Sequence, residues 1–130
     1  MTNVVTPTDE LHARLAAVMS LAHALHGVLE QEILKLGFAP ASVPVASPAE
    51  AEFRLARDPA SGLHSLVGVW RNRDGGKCGE LLFHADGSFF AEYDVVRVHP
   101  SRPRWFVEAV TAWGRGDILR AEPRLLPFAD

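Results

Sequence analysis

A run of 56 residues, Leu63 to Ile118, constrains this chain more than any other feature: its apolar and aromatic side chains alternate with polar ones between short turn signals. A period of two sends successive side chains to opposite faces of a strand, so the run reads as consecutive antiparallel strands. All three tryptophans (Trp70, Trp105, Trp113), the only tyrosine, Tyr93, and four of the seven phenylalanines lie in it. The expected strands are His64 to Asn72, Gly79 to His84, Ser88 to Val98, Arg104 to Trp113 and Asp117 to Glu122. They are joined by Asp74-Gly75-Gly76, Asp86-Gly87, His99 to Pro103 and Gly114-Arg115-Gly116. Short turns between successive strands give a meander of four to five strands over residues 63–122.

Ahead of the sheet the period changes. Leu11, Leu15, Val18, Ala22, Leu25, Leu29, Ile33 and Leu36 keep spacings of three and four, the stripe of an amphipathic helix. Thr6-Pro7 supplies a capping hydroxyl and proline at the first helical position, Asp9 and Glu10 complement the helix dipole, and Gly37 terminates. A helix over 7–36 would be about 45 Å long at 1.5 Å per residue. A domain of this size is roughly 28 Å across, so the helix is expected to bend near Gly27 or to lend part of its stripe to another subunit. Residues 1–6 read as a loose tail and 37–46, with Pro40 and Pro44, as a linker. Ser47-Pro48-Ala49-Glu50 is a capping box and predicts a short second helix over 47–58, stopped by Asp58-Pro59. Residues 123–130 form a tail that packs through Leu125, Leu126 and Phe128. The expectation is one α+β domain, 1–130, with both helices on one face of the sheet.

A two-residue Asp86-Gly87 turn would pair Ala85 with Ser88, so that Leu82 faces Ala91 and Glu80 faces Tyr93. One face then carries Leu66, Trp70, Leu82, Phe89, Ala91, Tyr93, Val95, Trp105, Val107, Ala109 and Trp113, and takes the helix. The other carries Val67, Val69, Leu81, Phe83, Phe90, Val96, Phe106 and Val110, with Glu92, Asp94 and Glu108. Asp94 is expected opposite Glu108, and like charges so placed destabilise a sheet unless something offsets them. A one-residue slip in any strand exchanges its faces.

Several groups invite a chemical reading. His23, His26 and Glu30 share one helical stripe, and imidazole with carboxylate suits zinc, iron or manganese; a polar flank beside the leucines is the better account of them, and no metal or cofactor is assigned. Lys77 beside Cys78 would lower the thiol pKa, with His64 and His84 near, but no oxyanion hole or orienting group accompanies them. Arg97, His99, Arg102 and Arg104 make a cationic tip next to Trp105 and Phe106.

The net charge of −3 gives non-specific nucleic-acid binding no driving force. One cysteine excludes an intramolecular disulfide and a cysteine-rich zinc site. No secretory signal opens the chain, and Leu15 to Leu29 is too short and too polar to span a bilayer. A soluble cytoplasmic protein is expected, with no nucleic-acid or membrane partner.

Asp86-Gly87-Ser88-Phe89-Phe90-Ala91-Glu92-Tyr93-Asp94 is loosely similar to the closing hairpin of some bacterial toxin-immunity proteins, and Gly68-Val69-Trp70 resembles the Gly-x-Trp of lipocalins. Neither carries a residue role over to this chain.

The function expected is that of a non-enzymatic protein-binding module, homodimeric, acting through the apolar and acidic sheet face with Glu92, Asp94, Glu108, Phe90 and Phe106. The alternative is a small-ligand-binding protein or small enzyme with a pocket between helix and sheet, lined by Trp70, His84, Tyr93 and Trp105.

Overall fold

The computed structural model describes residues 7–39, 50–72 and 74–128. Its elements are one helix, α1 (Pro7–Lys35), and six strands: β1 (Glu52–Arg57), β2 (His64–Arg71), β3 (Lys77–Phe83), β4 (Ser88–Val98), β5 (Trp105–Arg115) and β6 (Ile118–Pro127). The strands form one antiparallel sheet in chain order, a pure meander. The architecture is α+β, as expected, but there are six strands rather than four or five.

The expected second helix is the first correction. Its opening residues, 47–49, lie outside the described residues, while Glu52–Arg57 is a strand paired with β2. Glu52-Phe53-Arg54-Leu55 alternates polar with apolar, and that period of two outweighs the local capping signal. Phe53 lies over Gly68, where an added Cβ would stand 2.6 Å from its ring. At the other edge the expected tail is largely strand: β6 continues through Leu125 and Leu126 to Pro127. Pro123 and Pro127 are tolerated because β6 is an edge strand, where a missing N–H breaks no ladder.

The helix runs unbroken past Gly27. Ala22, Leu25, Leu29 and Ile33 are fully buried, and the stripe from Leu11 to Leu36 packs on the chain's own sheet. Strands of 11 residues, about 37 Å long, are commensurate with it, so its length requires no second subunit. Arg14 near its start donates to the carbonyls of His64 (2.7 Å) and Phe83 (3.3 Å), and Glu10 approaches His64 at 3.2 Å. Gly37 at its end lies by Pro100 in the β4–β5 loop. The helix therefore lies along the strands, on one face only.

The β3–β4 turn decides which face. His84 N–H donates to the Ser88 carbonyl (2.9 Å) and Gly87 N–H to the His84 carbonyl (3.1 Å). The loop is Ala85-Asp86-Gly87, three residues with Gly87 in the left-handed region (φ 89°), not a two-residue turn. One extra loop residue slips β3 by one: Phe83 pairs with Phe89, Leu81 with Ala91 and Gly79 with Tyr93. Leu81, Phe83 and Val110, expected opposite the helix, are therefore in the helix-side core, while Leu82 and Trp113 are on the far face.

Asp86 holds this turn. It accepts from the Ser88 N–H (2.9 Å) and hydroxyl (2.6 Å) and pairs with Arg115 at 2.7 Å. The Ser88 bonds, helped by Arg115, bring its pKa down to about 2. A depressed folded pKa gives stability that is present above the unfolded value of 3.8 and lost as pH falls through about 2. Carboxyl NMR should place the Asp86 midpoint near 2, and Ser88→Ala should raise it; a midpoint at the ordinary value in the native chain contradicts the turn geometry.

Candidate functional site

Paired residues of antiparallel strands share a face, so the register assembles the helix-free side row by row. The first row is Arg54, Val67, Leu82, Phe90, Trp113 and Arg120, an apolar band across four strands with an arginine at each edge. The next is Glu52, Val69, Glu80, Glu92, Thr111 and Glu122, four carboxylates in six positions. Beyond it come Asp94, Ala109 and Arg124, then Val98, Phe106 and Leu126. Val98 is 62% exposed, and Phe106 stacks on Phe128 at 5.9 Å between ring centres. Val67, Ala109 and Thr111 are buried between their larger neighbours, while Leu82, Phe90 and Trp113 are half-buried. The only α-helix among the described residues lies on the other side, and no described element covers this face.

The carboxylates are crowded. Glu80 pairs directly with Glu92, a like-charge cross-strand pair. Lys77 meets Glu80 at 2.8 Å, and Arg124 is divided between Glu92 (3.6 Å) and Glu108 (3.5 Å). Lys77 and Arg124 are thus the cations that the described residues bring to Glu80, Glu92 and Glu108, with Asp94 beside them. Burial, then a hydrogen bond shared with Asp94 and the Asp94 charge, raise the Glu92 pKa against the pull of Arg124.

Asp94 is opposite Ala109, not Glu108. Bulges in β4, between Asp94 and Arg97, and in β5, between Val107 and Ala109, displace Glu108 by one place. The β4 bulge holds Val96 at φ 43°, an unusual conformation for a β-branched residue, and leaves it 68% exposed. Glu92, Asp94, Phe90 and Phe106 do share one face, and Arg124 keeps Glu108 close to Glu92. Arg124, Glu80 and the edge carboxylates Glu52 and Glu122 were missed by sequence reasoning. The alternation in Glu52-Phe53-Arg54-Leu55 was the available signal for the first edge.

The residues of the alternative pocket are not gathered. Trp70 and Tyr93 pack together in the helix-side core, ring centres 4.7 Å apart, and the Tyr93 hydroxyl is hydrogen-bonded to His26 Nδ1. Burial pushes the Tyr93 pKa up. His84 is on the far face at the β3–β4 turn, bonded to Ser65 Oγ at 2.9 Å, and Trp105 is beneath the Arg102 guanidinium at 4.3 Å. His84 lines a cleft of about 250 Å³ with Asp58, Ser61, Leu63, Ser65, Ala85, Asp86 and Ser88. Asp58 and Asp86 there are both engaged in turns.

His26 is buried with Glu30 3.7 Å away, whereas His23 is exposed. Among the described residues no three His, Cys, Asp or Glu side chains are grouped to hold a metal. Cys78 is buried; burial, with the Asp94 charge, raises its thiol pKa rather than lowering it. Its expected neighbours are elsewhere, His64 by Glu10 and His84 by Ser65. No described helix is long and apolar enough to cross a membrane. Comparisons with protein-family models, curated proteins and solved structures each find no match.

Proposed function

We propose that this chain is a non-enzymatic protein-binding module that engages its partner through the helix-free face of the sheet. The observation that carries this reading is the half-buried band Leu82, Phe90 and Trp113 with a carboxylate row beside it and no described element over it. Apolar area at the centre supplies affinity, and charge beside it selects the partner. Six strands of 6 to 11 residues, rising about 3.4 Å per residue and about 4.8 Å apart, present roughly 900 Å², near the 800 Å² each partner contributes to a standard interface. A homodimer through this face is the self-associating form of the same reading.

Phe90→Glu tests it. Its side chain is half-buried away from the helix-side core, so the variant should keep its fold by circular dichroism. Immobilised native chain should retain a protein from an extract of the source organism, or a second copy in sedimentation velocity, that Phe90→Glu loses. Identical retention and sedimentation by both chains would sink the reading.

A further inference from the structure

The carboxylate row specifies the chemistry of what covers the face. Glu80 and Glu92 stand directly opposite one another, and the cluster they form with Asp94 and Glu108 holds four carboxylates against Lys77 and Arg124. A like-charge cross-strand pair opposes folding. Burial and then Asp94 raise the Glu92 pKa, with Glu80 adding least, so this carboxylate gives up stability as pH rises through its folded value. A cation brought by a partner relieves this repulsion, whereas a neutral or acidic partner does not.

The geometry adds a shape. The apolar band and the carboxylate row run side by side across the strands, two residues apart along each strand, which is about 6.8 Å. Rows advance about 4.8 Å per strand, close to the 5.4 Å of one helical turn. A helix laid along the rows therefore sets about one turn over each strand, and five intervals take about 16 residues at 1.5 Å each.

A second copy of the chain fits less well. A two-fold axis parallel to the strands sets Glu80 and Glu92 of both copies together, and Glu52 against Glu122. An axis parallel to the rows sets Arg54 against Arg54 and Arg120 against Arg120.

Resting on the protein-binding reading above, we propose that the face receives a basic amphipathic helix of another protein. Its apolar stripe lies on Val67, Leu82, Phe90 and Trp113, and its lysines or arginines lie over Glu80 and Glu92. An amphipathic helix is held by its apolar stripe, with the charge selection written into one row.

The probe is a labelled synthetic helix of about 17 residues with a leucine stripe and a lysine flank; its counterpart carries glutamate for lysine. The lysine peptide should bind, shift the Trp113 indole resonance and leave the buried Trp70 indole unmoved. Its Kd should rise at least about tenfold in Glu80→Gln/Glu92→Gln and stay unchanged in Glu32→Gln/Asp117→Asn, which alters carboxylates away from the face. The double glutamine variant loses the like-charge pair together with the ion pairs to Lys77 and Arg124, which offset one another at a half-exposed site, so it should melt close to the native chain and weakened binding is not unfolding. Equal binding of the glutamate peptide, or equal affinity of the two double variants, overturns the inference. A concentration-dependent dimer that excludes the peptide and is lost in Phe90→Glu also overturns it, in favour of a second copy, while the protein-binding reading stands. Neither peptide binding nor any partner or dimer removes both.

Discussion

Trp70→Ala should lower the melting temperature by roughly 10–20 °C, as a loss of about 3–5 kcal/mol does in a domain of this size. Trp70 is fully buried between the helix and the sheet, against Tyr93 at 4.7 Å and His26 at 6.3 Å between ring centres. Its slot exists because the residue paired with it is Gly79, where an added Cβ would stand 2.9 Å from the indole and 2.8 Å from the Tyr93 ring. Gly79 has no side chain to fill the space, so the removed ring leaves a cavity as well as a lost transfer energy. A total stability of about 5–15 kcal/mol makes this a large share. Trp113→Ala is the internal control: half-buried on the far face, it should cost about 1 kcal/mol. Thermal melts that rank the two tryptophans equally would contradict the face assignment.

Gly114→Ala should destabilise by about 3 kcal/mol, the upper end of overpacking, because what it strikes is backbone. A Cβ at Gly114 would stand 1.8 Å from the Ile118 carbonyl oxygen and 2.8 Å from the Phe89 ring. Gly114 pairs with Leu119 and Arg115 with Ile118 around a turn led by Gly116 at φ 63°. Relief therefore requires the β5–β6 hairpin to open, and amide exchange along β6 should accelerate together with the global loss. Gly87→Ala gives the contrast. Its position has open space but φ 89°, so it should cost only the left-handed penalty of about 1–2 kcal/mol and leave β6 protected. A Gly114→Ala chain that unfolds at the native urea midpoint would show that the hairpin does not pack as described.

The same two glycines show where local reading stops. Nothing in the residues around Gly79 or Gly114 states what lies over them, since Tyr93, Trp70 and Phe89 arrive from other strands. The candidate site is similar: Glu92 and Asp94 share a face by alternation alone, but Glu80, Glu52, Glu122 and Arg124 join them only through pairing.

By itself the sequence determined the helix from Pro7, the approximate positions of the five strands after Leu63, and their chain-order meander. These follow from backbone periodicity and short turn connections, which are local. Tertiary structure decided three things. It made Glu52–Arg57 a strand, because an edge of β2 was available for pairing. It added one residue to the turn at Asp86-Gly87, which exchanged Leu81 and Phe83 with Leu82 between core and open face. It placed bulges at Val96 and Glu108 that moved Asp94 from Glu108 to Ala109. The last two share a physical reason: with a side-chain period of two, one residue gained or lost in a turn or a bulge reverses a face, and the pairing and packing of whole strands, not any local signal, select the count.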